Sequence, residues 1–91
     1  MYQITQYSKD QAKKLGVMIK PSTKKNKKID VYKDGEYIVS IGDNRYGDYP
    51  TFKKEQGEEF ATKRRLAYKK RHEKDRHIKG TAGYFADQIL W

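Results

Sequence analysis

The chain has no cysteine, only two prolines and no apolar run long enough to cross a membrane. The missing cysteine excludes disulfide bonds, thiolate chemistry and cysteine-based zinc sites. Hydrophobic residues make up only 35% of the 91 residues, and the mean hydropathy is −1.15, both low for a globular domain. The first ten residues lack the apolar core of a signal peptide, so we expect an intracellular protein. A chain this short predicts one domain, residues 1–91, with a thin core.

Acidic residues are scarce beside basic ones: 12 Asp and Glu stand against 21 Lys and Arg, a net charge of +9. This surplus predicts attraction to an anionic partner, which is nucleic acid, a membrane surface or an acidic protein assembly. Residues 20–28 hold five lysines and no acid, and residues 61–80 are also strongly basic. Because neighbouring lysines repel one another, we expect residues 20–28 to form a flexible, lysine-rich arm or loop.

No pattern suited to catalysis or metal binding is evident. The two histidines, His72 and His77, are five residues apart, which places them about 140° apart on a helix. The chain has neither a nucleophile elbow nor a glycine-rich phosphate loop. Glu58 and Glu59 fit partners of a helix dipole. We therefore expect a non-enzymatic protein with no cofactor, metal or small-molecule substrate.

The pattern of apolar and turn residues predicts an α+β fold. Its order is a short N-terminal helix, a β-hairpin, a long basic helix and a short C-terminal helix. Ser8 begins a capping box for the first helix, which Gly16 ends. Alternating residues on either side of Asp34-Gly35 predict a hairpin over residues 29–41 with a type I′ turn.

A run of helix-forming residues predicts the long helix over residues 51–75. Gly57 interrupts the run, so it marks a kink or a later start. Thr81 is predicted to cap the last helix. We expect one face of the hairpin to pack against the long helix, using Val31, Tyr37, Val39 and Ile41 from the hairpin and Phe60, Ala67 and Tyr68 from the helix.

Two arginines, Arg64 and Arg71, fall in the same stripe of the long helix as its aromatic residues. Two interpretations stay open. The guanidinium groups pair inside the molecule with Asp48, Asp75 or loop carbonyls, or they bind phosphate or carboxylate on a partner. The aromatic residues likewise suit a core, a protein interface or stacking on nucleic acid. Trp91 should dock on the hairpin or on a neighbour.

The strings IDVYKDGEYIVSIG, YGDYPTF, KRRLAYKKRHEKD and GTAGYFADQILW occur in this order. Together they resemble a family of small basic proteins of large DNA viruses, which are uncharacterised or virion-associated. The resemblance covers nearly the whole chain, and its matching positions are Tyr46, Asp48, Tyr49, Arg65, Tyr68, Arg71, His72, Gly83, Leu90 and Trp91. It carries over no catalytic residues. It implies a viral origin and a place in the virion as a minor capsid component.

The leading expectation is therefore a structural protein of the virion, present inside the host cell before assembly, whose partners are major or other minor capsid proteins. The alternative is a nucleic-acid-binding protein that tethers or condenses the viral genome. Membrane insertion is not expected, although adsorption to anionic lipid is a third possibility. The residues expected to contact a partner are Lys24, Lys25, Lys27, Lys28, Arg64, Arg65, Tyr68, Arg71, His72 and Trp91.

Overall fold

Residues 2–91 are described by a computed structural model, in which they form four α-helices and one three-stranded antiparallel sheet. The elements are α1 (Gln6–Leu15), β1 (Met18–Pro21), β2 (Lys27–Lys33), β3 (Glu36–Asp43), α2 (Tyr49–Gln56), α3 (Glu58–Arg71) and α4 (Ala82–Leu90). This confirms the α+β class. None of the helices in this part of the chain is long and apolar enough to span a membrane.

The predicted hairpin is formed by β2 and β3, and a third strand extends it. Asp34 and Gly35 both have positive φ, 52° and 82°, as a type I′ turn requires. β1 pairs with the other edge of β2, giving the order β1-β2-β3. The lysine-rich arm expected over residues 20–28 is therefore corrected. Its two ends are strands, because the backbone N–H and C=O groups of β1 pair with those of β2.

A bulge changes which side chains of β3 face the core. The cross-strand partners are Val31 with Val39, but Tyr32 with Tyr37, so β3 carries one extra residue at this point. Tyr37 is thereby moved to the face of the sheet that carries Tyr32. The prediction that Tyr37 lies in the core is wrong, because strict alternation along β3 does not hold across the bulge.

The first helix begins earlier than predicted. Thr5, rather than Ser8, is the N-cap, and its hydroxyl oxygen accepts from the Ser8 backbone N–H at 3.2 Å. Ser8 is instead fully buried and donates its hydroxyl to the backbone oxygen of Ile89 at 2.8 Å, which joins α1 to α4. The predicted end of the helix is confirmed, since Gly16 has φ 74°.

The long helix is divided into two at Gly57. This residue has φ 93° and ψ 167°, a conformation essentially restricted to glycine. α2 and α3 pack against each other as a helical hairpin. Thr81 caps α4 as predicted, its hydroxyl oxygen accepting from the Tyr84 backbone N–H at 3.2 Å.

The core lies between the inner face of the sheet and the helices α1 and α4. Ile29, Val31 and Ile41 of the sheet are almost completely buried, together with Ile89 and Leu90 of α4. α3 packs mainly on α2 rather than on the sheet. The predicted packing of the hairpin against the long helix is therefore corrected. On α3, Phe60 and Ala67 are exposed, Tyr68 is half-buried, and the fully buried residue is Ala61.

Candidate interaction surfaces

A buried ion pair removes one of the predicted contact residues from the surface. The Lys28 ammonium lies 2.7 Å from the Asp48 carboxylate, and their side chains are only 4% and 0% exposed. Asp48 also accepts from the Tyr2 hydroxyl at 2.8 Å and caps α2 through the Thr51 backbone N–H at 3.0 Å. Lys28 thus joins the sheet to α2. It does not contact a partner, which corrects the prediction for this lysine.

A second buried carboxylate joins α3 to α4. Asp87 is 1% exposed, and it lies 2.7 Å from the Lys69 ammonium and 3.6 Å from the Arg76 guanidinium. Asp30 is the third buried acid, whereas Lys28 is the one buried cation among residues 2–91. Because more acidic than basic side chains are buried, the surface is more positive than the net charge of +9 indicates.

Arg65 is turned inward. Its guanidinium donates to the backbone oxygen of Trp91 and, at 3.1 Å, to the Tyr7 hydroxyl. It also lies 4.3 Å from the centre of the Tyr49 ring. Burial raises the pKa of Tyr7, although the Arg65 charge opposes that shift. Arg65, which was predicted to contact a partner, is therefore paired inside the molecule.

Trp91 is the centre of an aromatic cluster. It is 9% exposed and stacks on Tyr68, with the ring centres 4.5 Å apart and the planes 8° from parallel. The Tyr68 ring centre in turn lies 4.4 Å from that of His72, which is half-exposed, and the ring centres of Phe52 and Trp91 are 6.1 Å apart. Burial, followed by the charges of nearby carboxylates, raises the pKa of Tyr68 to about 12. Tyr68 and Trp91 are thus structural, and His72 forms the outer end of the stack.

The opposite side of α3 is exposed and basic. With successive residues about 100° apart, Lys63, Arg64, Lys70 and Arg71 fall within one arc, and all four are exposed. Lys63 is 3.9 Å from Glu59, whereas the other three have no salt bridge within residues 2–91.

Two apolar side chains lie near these cations, Phe60 within the arc and Leu66 about 40° beyond its edge at Lys70. Leu66 is 63% exposed and Phe60 is 39% exposed. We call the surface formed by Phe60, Lys63, Arg64, Leu66, Lys70 and Arg71 the α3 outer face. Leu66 was not predicted as a contact residue from the sequence. The feature that could have indicated it is its position on the helix beside the lysines.

The uncovered side of the sheet forms a second surface. Met18, Tyr32 and Tyr37 are in register across the three strands, and Met18 and Tyr37 are 66% and 46% exposed. The Lys20 ammonium lies 5.2 Å from the centre of the Tyr32 ring, and the Lys24 ammonium lies 4.1 Å from the centre of the Tyr37 ring. These five residues are called the outer sheet face. Of these five residues, only Lys24 was predicted from the sequence to contact a partner.

The polar groups beside these rings form hydrogen bonds with one another. The Ser40 hydroxyl donates to Asp30 and is 2.8 Å from the Tyr37 hydroxyl, which also accepts from Lys24. Burial disfavours ionised Asp30, but hydrogen bonds from Ser40 and Ser22 outweigh burial and lower its pKa. The hydrogen bond from Lys24 likewise lowers the pKa of Tyr37.

The remaining predicted contact residues are dispersed. Lys25 lies exposed in the connection between β1 and β2, and Lys27 is exposed at the start of β2. The ten predicted residues thus do not form one site. Arg64 and Arg71 share the α3 outer face, Lys24 lies on the outer sheet face, and Lys28, Arg65, Tyr68 and Trp91 make internal contacts.

No group of three His, Asp or Glu side chains within residues 2–91 is arranged to hold a metal ion. Comparisons with protein-family models, with curated proteins and with solved structures found no match to this chain. The chemistry available on the two surfaces is binding through ammonium, guanidinium, aromatic and aliphatic groups.

Proposed function

We propose that this is a non-enzymatic structural protein that binds acidic faces of neighbouring proteins through the α3 outer face. The family resemblance makes capsid proteins of a large DNA virus the partners, with the protein as a minor capsid component. The observation that carries the proposal is the mixture of Arg64, Lys70 and Arg71 with exposed Leu66 and Phe60 on one helix face.

The charges on this face are available to a partner. The acids packed near α3 are occupied elsewhere, since Asp87 pairs with Lys69 and Arg76. Arg64 makes one internal contact, a cation–π contact with Phe52 at 5.4 Å. Such exposed contacts contribute only about 0.5 to 1 kcal/mol, so a partner carboxylate that forms a bidentate pair competes with it.

The apolar residues favour a protein partner over a nucleic acid. Protein interfaces bury aliphatic and aromatic side chains at their centre and place charges around them. An exposed leucine at the edge of a basic face has no comparable role against a phosphate backbone, which is bound by cations and by hydrogen-bond donors. Leu66, 63% exposed, is therefore the residue that separates the two functions.

A cross-linking experiment on purified particles tests the proposal. A carbodiimide joins lysine amines directly to carboxylates that touch them, and it adds no spacer. We expect Lys63 and Lys70 to be linked to acidic residues of capsid proteins. The exposed pair of Lys53 and Glu58, 3.7 Å apart, serves as a positive control because the reagent reaches its carboxylate.

Variants of the α3 outer face supply a second readout, the number of copies of the protein per major capsid subunit. Leu66→Ser combined with Arg71→Gln should reduce this number. Lys13→Gln combined with Lys14→Gln, which removes exposed cations from α1, should leave it unchanged. Absence of the protein from particles, or equal effects of both double variants, would contradict the proposal.

A variant of the same leucine distinguishes the proposed function from the alternative, genome tethering. Duplex DNA binding through cations predicts a slope of log K against log salt near −0.9 for each phosphate contact. Under that alternative Leu66→Ser should not change DNA affinity, while Arg71→Gln should reduce the slope by about one contact. Steep, Leu66-independent DNA binding without capsid cross-links would favour the alternative.

A further inference from the structure

We propose that the outer sheet face binds single-stranded nucleic acid, with bases stacking on Tyr32 and Tyr37 and phosphates contacting Lys20 and Lys24. This surface is distinct from the α3 outer face and does not depend on the function proposed above. It uses different residues on a different element.

The rings are held in place before any ligand arrives. Tyr32 and Tyr37 are cross-strand partners, with ring centres 5.9 Å apart and planes at 73°. The bulge in β3 directs Tyr37 to this face, and the Ser40 hydroxyl lies 2.8 Å from its hydroxyl. Aromatic side chains fixed on an open sheet present flat, apolar surfaces on which any base can stack.

Each ring is accompanied by a lysine, which supplies the charge complementarity. The Lys24 ammonium now lies over Tyr37, 4.1 Å from the ring centre, so a base that stacks there must displace it. An exposed cation–π contact is worth about a two- to fivefold factor in an equilibrium constant. Stacking a base is worth about 5- to 150-fold. Stacking therefore outweighs the lost cation–π contact, and the hydrogen bond that the ammonium now donates to the Tyr37 hydroxyl is replaced by one to the phosphate.

The carboxylate on this face does not prevent the approach of a phosphate. Asp30 is only 9% exposed, and it accepts a hydrogen bond from Ser40. Its charge is covered by these neighbours, whereas Lys20 and Lys24 are exposed. An acidic peptide would be attracted by the same lysines but has no flat base to cover the tyrosine rings. The paired rings are the feature that favours nucleic acid.

Fluorescence anisotropy of a labelled oligothymidylate of about eight nucleotides tests the inference on the full chain at low salt. Tyr37→Ala should weaken binding about 5- to 150-fold, whereas Tyr37→Phe, which keeps the ring, should bind like the unchanged protein. Tyr46→Ala is the matched control. Tyr46 is 70% exposed and has Arg45 over its ring at 5.9 Å, but it lies outside this face.

Two further measurements separate stacking from charge. An abasic oligonucleotide of the same length loses stacking on both Tyr32 and Tyr37, so it should bind the unchanged protein more weakly than the oligothymidylate binds Tyr37→Ala. Lys20→Gln combined with Lys24→Gln should reduce the slope of log K against log salt by about 1.4, which is 0.7 for each of two phosphates. Circular dichroism should show that every variant keeps the fold.

Three results would overturn the inference. The first is equal weakening by Tyr46→Ala and Tyr37→Ala, which would show unspecific attraction to the basic surface. The second is equal affinity for the abasic and the thymidylate oligonucleotide. The third is equally tight, Tyr37-dependent binding of a polyglutamate peptide, which would assign the face to an acidic protein segment instead.

Discussion

The ion pair between Lys28 and Asp48 gives the sharpest test of the fold. Lys28→Met keeps most of the aliphatic length of the side chain and removes the ammonium. Asp48, with a side chain 0% exposed, would then lose its partner at 2.7 Å. Breaking a buried ion pair in this way costs about 3 to 5 kcal/mol. Because Asp48 keeps its hydrogen bonds from Tyr2 and Thr51 in this variant, we expect a cost at the lower end of that range, about 3 kcal/mol.

The double variant Lys28→Met with Asp48→Asn should recover much of this loss. Asparagine keeps Oδ1 to accept from the Thr51 N–H and cap α2. Its Nδ2 group replaces the oxygen that accepts from Tyr2, so it donates to the Tyr2 hydroxyl oxygen instead, and the side chain carries no charge. We expect the double variant to lie within about 2 kcal/mol of the unchanged protein. The loss in Lys28→Met is expected to exceed that in the double variant, and the two changes should be strongly non-additive.

Urea unfolding followed by circular dichroism measures these differences as free energies of unfolding. A loss of 3 kcal/mol corresponds to a fall of at least about 12 °C in Tm for a domain of this size. Should Lys28→Met fail to fold, the double variant still provides a measurement. Lys63→Met is the control, since Lys63 and Glu59 form an exposed pair 3.9 Å apart, and its cost should stay below about 0.5 kcal/mol.

Two results would refute this reasoning. If Lys28→Met costs no more than Lys63→Met, the pair contributes nothing that depends on burial. If Asp48→Asn does not recover stability in the presence of Lys28→Met, the loss does not come from an uncompensated carboxylate.

Three further predictions concern α3 and its ends. Arg65→Gln should destabilise the protein by about 1 to 3 kcal/mol because two partly buried acceptors lose their donor. Arg64→Gln should cost less than about 1 kcal/mol, since the contact it loses is the cation–π contact with Phe52, and urea unfolding measures both. Gly57→Ala should lower the free energy of unfolding by about 1 to 3 kcal/mol, because φ is 93° at this position. Gly83→Ala, inside α4, is the control: the new methyl group meets nothing nearer than 3.4 Å, so this change should be neutral or slightly stabilising. Burial raises the pKa of Tyr68 from 10.0 to about 12 in the folded protein. Between pH 10 and 12 the tyrosine therefore ionises in the unfolded chain but not in the folded one, so the free energy of unfolding falls over this range. In Tyr68→Phe, which cannot ionise, this fall should be less steep.

Local signals in the sequence were sufficient where a single residue determines the backbone. Asp34-Gly35 fixed the hairpin turn, Gly16 fixed the end of α1, and Thr81 fixed the start of α4. Gly57 indicated the interruption of the long helix, although not that the helix ends there completely. Each of these features depends on φ angles or on a cap a few residues away, so no distant contact is needed to predict it.

Features that depend on distant contacts could not be predicted in the same way. β1 is a four-residue edge strand whose partner begins six residues later, and the lysines around it favoured an arm. The burial of Lys28 depends on Asp48, which is 20 residues away. The orientation of Tyr37 depends on a bulge opposite Tyr32. The lysine run therefore wrongly predicted an exposed Lys28, and the alternation along the strand wrongly predicted a buried Tyr37.

The predicted resemblance to viral proteins and the two proposed surfaces rest on largely different residues, with Arg71 common to both. Of the positions that carry the resemblance, Asp48, Tyr49, Leu90 and Trp91 are buried, and Arg65 anchors the backbone at Trp91. In this chain these residues contribute to the core and its internal contacts.

A partner, in contrast, contacts what the fold leaves exposed. The two proposals depend on Leu66 and on Tyr37, neither of which belongs to the matching positions. A protein with the same buried motif but polar residues at these two places would keep the fold and lose both surfaces. Exchanging Leu66 and Tyr37 separately therefore tests each binding function while leaving the motif, and the stability it provides, unchanged.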